Sequence, residues 1–152
     1  MKKMTFFVLF LLFAVNSIQA QQEVSWYTLS DVKWVKAFFP KLDDYYDFPK
    51  FGKKIKQLDN QQITIKGFYV PIDATGKIFA LSSSPSSMCF FCNGGGIETV
   101  MEMIKKRGTN WKHLKTDQFI EVKGRLKLNV NDVDHLMYVL ENAELVQIIK
   151  TK

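Results

Sequence analysis

The clearest alternation of apolar and polar positions in the chain runs from Phe119 to Leu128. Charged residues occupy every second position, and the positions between them hold Ile120, Val122, Gly124, Leu126 and Leu128. A period of two with one charged face predicts a half-buried strand. After a predicted turn at residues 129–134, the run from Met137 to Ile149 predicts one or two further strands with a break near Asn142.

A second alternating stretch begins at Ile63, where Ile63 and Ile65 alternate with polar residues. After Gly67 the apolar positions change phase to Phe68, Val70 and Ile72, which predicts a bulge or sharp bend at the glycine. Turn-forming residues follow, and the run from Lys77 to Leu81 predicts the second strand of a hairpin.

One segment has the spacing of a helix instead. Ile97, Val100, Met101 and Ile104 fall at i, i+3, i+4 and i+7 and form one apolar stripe. Glutamates lie early in the segment, basic residues lie at 105–107, and Gly108 follows, an order that suits the helix dipole and a glycine end. The pattern predicts a helix of about three turns.

Residues 21–60 are rich in aromatic side chains and form what we call the aromatic arm. Pro40 and Pro49 exclude one long helix across it. We expect a short strand within Trp26–Trp34, followed by an irregular segment whose aromatic side chains cover the core. An exposed aromatic patch that binds a partner is the alternative.

Taken together, these segments predict a mainly β protein with one or two helices, in the α+β class. The element order is typical of an OB-like small antiparallel barrel with a helix before the fourth strand. We expect the barrel core to occupy residues 61–149 and the aromatic arm to precede it in a single domain, residues 21–152.

The N-terminus has the pattern of a signal peptide at residues 1–20. Lys2 and Lys3 precede an apolar run from Phe6 to Val15, which is shorter than the ~18 residues that a membrane-spanning helix needs. Ala20 ends a plausible cleavage site, so we expect an exported chain, periplasmic or secreted, that begins at Gln21 and has no membrane span.

Composition changes this interpretation little. Removing the first 20 of the 152 residues leaves 132, which is the size of one domain. It also removes Lys2 and Lys3, which lowers the net charge from +6 to +4. Basic and acidic residues are interleaved in the remainder, which argues against a nucleic-acid-binding protein.

Reactive residue types concentrate in one place, between Ser82 and Gly96. Both cysteines of the chain, Cys89 and Cys92, lie here in a C-x-x-C arrangement. In an exported protein such a pair favours a local disulfide, which would add little stability because the closed loop is short. The same spacing also lets two thiolates bind one zinc or copper ion. Further ligands would have to come from Met88, His113, His135 or Glu98.

A third interpretation is thiol-disulfide exchange. Cys92 directly precedes the predicted helix, whose N-terminus would stabilise a thiolate. The glycines that follow, Gly94, Gly95 and Gly96, are also able to form an anion-binding nest or simply a flexible entry turn. The sequence pattern leaves these alternatives open.

The chain resembles a family of small exported bacterial proteins, related to a periplasmic domain of unknown function with an OB-like barrel. The resemblance covers nearly all of residues 21–144. Five segments carry it: Trp26–Val32, Pro49–Gly52, Ile65–Pro71, Cys89–Cys92 with its glycines, and Lys123–Asn129. Asn93 and Ile97 depart from the family pattern, which has Gly and Pro there.

The resemblance implies a fold and an extracytoplasmic location, and distant relatives look like accessory proteins of metal-uptake systems. We therefore expect an exported, non-enzymatic binding or accessory protein that handles zinc or copper through Cys89 and Cys92, with a metal ion or an envelope protein as its partner. The alternatives are a thiol-disulfide redox protein and an OB-type oligonucleotide or glycan binder.

Overall fold

The computed structural model describes residues 21–72, 79–86, 96–109, 111 and 113–150. The predicted signal peptide at residues 1–20 lies outside these ranges, and so do Met88, Cys89, Cys92, Gly94 and Gly95. Within the described ranges, no helix has the length and apolar character that a membrane span requires.

Along the described residues, eight strands and two short helices follow one another. A 3-10 turn at Ile97–Thr99 directly precedes the sixth strand. The elements are β1 (Gln22–Val24), α1 (Trp26–Leu29), β2 (Val32–Phe39), β3 (Asp44–Phe51), α2 (Lys53–Leu58), β4 (Gln62–Pro71), β5 (Phe79–Ser82), β6 (Val100–Lys105), β7 (Phe119–Leu128) and β8 (Tyr138–Ile148).

Five of these strands close into a barrel in the order β4, β5, β6, β8, β7, with β7 pairing back onto β4. Strand β4 closes the ring because Gln62–Phe68 pairs with β7 and Phe68–Pro71 pairs with β5. Strands β6 and β8 run parallel, while the other barrel pairs are antiparallel. The barrel is therefore mixed, and the prediction of an antiparallel barrel is wrong in this respect.

The barrel interior holds one row of apolar side chains from each strand. In β7 the predicted alternation is confirmed, because Ile120, Val122 and Leu126 are fully buried. Each such side chain contributes about 1.5–3 kcal/mol relative to an exposed one. The other fully buried large residues of the barrel are Ile63, Ile65, Leu81, Met101, Met103, Tyr138 and Leu140.

Two glycines allow neighbouring strands to approach closely. A Cβ on Gly67 would lie 2.6 Å from the Ser82 carbonyl oxygen, and a Cβ on Gly124 would lie 2.8 Å from that of Glu141. The predicted change of phase at Gly67 is wrong, since Tyr69 joins the same buried core as Ile65 and the register of β4 has no shift there. The glycine is needed for the close approach.

The predicted helix from Ile97 to Ile104 is also wrong: the segment forms the 3-10 turn and then β6. Met101 and Met103 point into the core at a period of two, while Glu102 and Ile104 are more exposed. A short apolar run is compatible with the residue spacing of either a helix or a strand. Here the segment is a strand because it pairs with β5 on one side and with β8 on the other. Two short helices do exist, but they lie in the aromatic arm.

The aromatic arm is more regular than its sequence indicates. Trp26 begins a helical turn where a strand was expected, and β2 and β3 form a two-stranded antiparallel hairpin. Strand β1 adds to β4 in parallel, and the Trp26 indole donates a 2.8 Å hydrogen bond from Nε1 to the Lys66 carbonyl. Ile55 and Leu58 of α2 are buried in the barrel core, so the arm and the barrel share one core.

Candidate functional site

The cysteine pair belongs to the connection between β5 and β6, residues 83–99, which we call the cysteine connection. Its two ends meet where the Ser83 amide donates a 2.9 Å hydrogen bond to the Thr99 carbonyl. Because β5 and β6 are paired up to Ser82 and Val100, the connection starts and finishes at one end of the barrel.

The first part of the cysteine connection is tied to the segment before β7. The Ser86 amide donates to Asp117 Oδ1 at 2.6 Å, and the Ser86 hydroxyl lies 2.9 Å from Asp117 Oδ2. Asp117 has a φ of 62°, a left-handed conformation that acidic and amide residues adopt more readily than most. The backbone is therefore anchored immediately before the part of the chain that carries Cys89 and Cys92.

The last part is held by a turn around Gly96. The Gly96 amide donates to Glu98 Oε1 at 3.1 Å, and the Thr99 amide and hydroxyl both donate to the Gly96 carbonyl. A Cβ on residue 96 would come within 2.4 Å of Glu98 Oε2. Gly96, one of the three glycines of the predicted anion nest, thus already donates its amide to a carboxylate of the chain itself.

Glu98 has the most unusual environment in this turn. Its Oε2 atom is buried and has no hydrogen-bond partner among the described residues. The nearby Tyr138 hydroxyl donates a 2.6 Å hydrogen bond to the Leu29 carbonyl. Burial raises the pKa of the Tyr138 hydroxyl far above its ordinary value, and the negative charges of Glu98 and Asp31 add to the rise. Two carboxylates therefore lie close to one neutral phenol.

Asp31 belongs to the aromatic arm. It lies between α1 and β2, and its carbonyl accepts a 2.8 Å hydrogen bond from the Gly52 amide at the end of β3. Its carboxylate occupies the space beside Gly52, where a Cβ would be only 1.8 Å from Oδ2. We call Asp31 and Glu98 the acidic corner. Neither residue forms an ion pair with any described residue.

The two histidines that the sequence offered as metal ligands have different surroundings. His113 is exposed. The Nδ1 atom of His135 lies 2.9 and 3.0 Å from the two carboxylate oxygens of Glu102, and this contact raises the pKa of His135. No group of three His, Cys, Asp or Glu side chains able to hold a metal occurs within the described ranges. Of the predicted ligands that the structure describes, Glu98 lies within the cysteine connection itself.

The Glu102–His135 contact has a structural effect on the loop between β7 and β8. Glu102 Oε2 also accepts the Leu136 amide at 3.2 Å. The Asn129 side chain donates to the carbonyls of Asp132 and His135 and accepts the Asp132 amide. These bonds hold the loop beside a cleft of about 560 Å³, which Ile104 and Val139 also line.

Sequence reasoning missed Asp31 and the shape of the aromatic hairpin, residues 32–51. Asp31 and Glu98 are far apart in the sequence, and packing of α1 against the Tyr138 end of the barrel brings both within range of the same phenol. In the hairpin, the sequence suggested aromatic side chains that cover the core, whereas Trp34, Phe38, Tyr45 and Tyr46 remain substantially exposed. Phe38 and Tyr45 pack edge to face across the two strands, with ring centroids 5.4 Å apart.

No protein-family model matches the sequence, and no curated protein matches it. The structure resembles the crystal structure of a DUF3299 family protein from Pseudomonas aeruginosa PAO1, with a TM-score of 0.49 and 13% sequence identity. The alignment covers 86% of this chain and 99% of that chain. A likeness of this degree carries no information on ligands or activity.

Proposed function

We propose that the protein is an exported, non-enzymatic binding or accessory protein that holds a zinc or copper ion with Cys89, Cys92 and the Glu98 carboxylate. The observation that supports this most is the buried Glu98 Oε2, which has no hydrogen-bond donor among the described residues. Burying a carboxylate oxygen without a partner is costly. Coordination of a cation compensates that cost, because it gives the buried oxygen a partner.

The electrostatic surroundings of Glu98 favour a cation. Asp31 adds a second carboxylate, and neither acid is neutralised by an ion pair within the described ranges. The Tyr138 hydroxyl is uncharged at neutral pH, and burial raises its pKa further. The acidic corner therefore has a net negative charge that a divalent or monovalent metal ion would offset.

The residue types suit zinc or copper better than calcium or magnesium. Thiolates bind soft and borderline ions, and two of them in a C-x-x-C arrangement supply half of a tetrahedral site. Glu98 would supply a third ligand, since Cys92 lies shortly before it in the sequence. Met88 offers a thioether, which favours Cu(I). Three protein ligands leave the fourth position of a tetrahedral site open. An open position allows a partner protein to take the metal.

We infer further that the barrel is OB-like. Numbered within the barrel from β4 to β8, the strands neighbour one another in the order 1-2-3-5-4, with strand 4 closing onto strand 1. The parallel pairing of barrel strands 3 and 5 also suits an OB-type barrel. In this numbering the cysteine connection joins strands 2 and 3.

Export is the second part of the proposal. The pattern of residues 1–20 supports cleavage after Ala20 and a periplasmic or secreted location. N-terminal sequencing of the protein recovered from the cell envelope or medium is expected to begin at Gln21. Recovery of the intact chain from the cytosol, beginning at Met1, would contradict export.

Metal binding is tested with the mature protein, residues 21–152, purified under reducing conditions. The protein is incubated with excess Zn²⁺ or Cu⁺ and desalted, and the bound metal is measured by mass spectrometry. We expect one ion per wild-type chain and none in Cys89→Ser/Cys92→Ser. We expect Glu98→Gln to weaken the affinity by at least roughly tenfold, since loss of a group that supports a metal typically costs this much.

Asp43→Asn is the matched control, because this acid lies in the hairpin turn and has a φ of 51° that asparagine tolerates. It should bind metal as the wild type does. Absence of metal in the wild type, or equal metal in the double cysteine variant, would overturn the proposal. A metal-free wild type that reduces a model disulfide would favour thiol-disulfide exchange instead, and salt-dependent binding of an oligonucleotide would favour the OB-type alternative.

A further inference from the structure

We propose that the outer edge of β2 binds an acidic segment of a partner protein in extended conformation and adds it as a third strand to the aromatic hairpin. The two strands of the hairpin, β2 and β3, pair only with each other among the described residues. A two-stranded sheet has two open edges, and an isolated hairpin is only marginally stable in water. An added strand would bury exposed surface of the hairpin and satisfy backbone groups of β2.

The register identifies which backbone groups of β2 are available. Pro49 has no N–H and lies opposite Trp34, so these two residues cannot exchange a pair of backbone hydrogen bonds. Bonded and non-bonded pairs alternate along antiparallel strands. Trp34, Lys36 and Phe38 therefore all direct their N–H and C=O groups away from β3, toward the open edge.

The two edges of the hairpin differ in their capacity to accept a strand. On β3, Pro49 interrupts the row of outward N–H groups, and the Tyr45 amide donates at 2.6 Å to the Asp44 carboxylate. Proline at such a position is a common protection of an edge strand. Strand β2 has no proline, and the outward groups of Trp34, Lys36 and Phe38 form an uninterrupted row. The row begins after Val32, whose amide donates to the Ser30 carbonyl.

The charge of the β2 edge indicates which kind of strand it binds. Lys33 and Lys36 are exposed on β2, which contains no acidic residue. Across the hairpin, Lys33 lies opposite Lys50 and Lys36 lies opposite Asp47. Edge lysines prevent association with a like-charged strand, and pairing of two copies of this edge would bring these lysines together. The same lysines attract an acidic strand, because opposite charges directly across a pair stabilise it. The edge therefore suits an acidic partner better than a second copy of this chain.

Apolar side chains supply the remaining contact surface. Trp34 and Phe38 lie on one face of β2, on either side of Lys36, and Val35 lies on the other face. Their exposed fractions are 41%, 47% and 45%. A matching strand would place acidic residues opposite Lys33 and Lys36 and apolar residues opposite the other three.

Binding is measured by isothermal titration of the mature protein with a capped ten-residue peptide that has this pattern of Glu and Val. We expect saturable one-to-one binding that weakens with salt, and no binding of the same peptide with Lys in place of Glu. Lys36→Glu should weaken binding at least about tenfold because attraction becomes repulsion. Lys115→Glu, an exposed lysine outside the hairpin, is the charge-matched control and should change the Kd less than about twofold.

N-methylation of alternate peptide amides tests strand addition separately from charge. One alternate set of amides should face β2, and methylation of that set should abolish binding while methylation of the other set has little effect. Equal binding by both methylated peptides, unchanged affinity of Lys36→Glu, or failure of the acidic peptide to bind would overturn the proposal. Binding of anionic vesicles or oligonucleotides in preference to the peptide would overturn it as well. Peptide binding at this edge does not require a bound metal.

Discussion

The hydroxyl of Tyr138 donates a 2.6 Å hydrogen bond to the carbonyl oxygen of Leu29, and this bond joins the last strand of the barrel to the first helix of the chain. Both residues are fully buried. The bond holds α1 at the end of the barrel where the cysteine connection begins and finishes. It thereby also brings Asp31, two residues beyond Leu29, within electrostatic range of the phenol that Glu98 influences.

Replacing Tyr138 with phenylalanine should lower the free energy of unfolding by about 1 to 2 kcal/mol, because the buried Leu29 carbonyl loses its donor. Urea unfolding followed by fluorescence measures the change. Tyr27→Phe is the matched control, since the Tyr27 side chain is 89% exposed, and it should leave stability nearly unchanged. Equal effects of the two substitutions would show that the buried bond has no special importance.

Replacing Gly67 with alanine should destabilise the barrel by about 1 to 3 kcal/mol, the usual cost of overpacking. The new Cβ would lie 2.6 Å from the Ser82 carbonyl oxygen and 2.8 Å from Leu81 Cγ, so two strands would have to move apart. Thermal unfolding followed by circular dichroism measures the effect. Gly108→Asn is the control, because φ is 84° there and nothing lies within 4 Å. A Gly67→Ala protein as stable as wild type would contradict the close packing of β4 and β5.

The Glu102–His135 contact attaches the loop between β7 and β8 to β6, and the stability that it contributes should depend on pH. The folded-state pKa of His135 is raised by Glu102, so the stabilisation is fully present below about pH 6.5, the unfolded value, and is lost as pH rises through the folded pKa. NMR titration of His135 should give a lower pKa in Glu102→Gln than in wild type. The difference in melting temperature between the two proteins should be largest below pH 6.5 and shrink above it.

An unchanged His135 pKa in Glu102→Gln would contradict this account of the contact. The effect on stability should be small in either case, because the His135 side chain is 45% exposed and surface ion pairs contribute little.

The elements that the sequence predicts well are those with one buried and one solvated face. Strand β7 is such a case, since Glu121, Lys123, Arg125 and Lys127 face outward and leave one consistent buried row. The predicted break near Asn142 also has a physical counterpart: β8 is one strand, but its register with β7 shifts there and Asn142 has a φ of 52°. Local patterns predict these features because burial itself is periodic along them.

The elements that the sequence predicts poorly depend on partners that are distant in the chain. The Val100–Lys105 segment has apolar residues at both helical and strand spacing, and only its two neighbouring strands decide between them. In the aromatic hairpin neither face is fully buried, so no clean alternation marks its strands. Glu98 was predicted as a ligand from its residue type, whereas its position near Tyr138 depends on the parallel pairing of β6 with β8. The position of Asp31 depends on the bond between Tyr138 and Leu29.

X-ray absorption spectroscopy of the zinc-loaded, reduced protein tests the central claim of a cysteine–glutamate metal site most directly. We predict two sulfur ligands at about 2.3 Å and at least one oxygen ligand at about 2.0 to 2.2 Å, with a changed oxygen shell in Glu98→Gln. A zinc ion surrounded only by oxygen or nitrogen, or a spectrum unaffected by loss of Cys89 and Cys92, would contradict the claim.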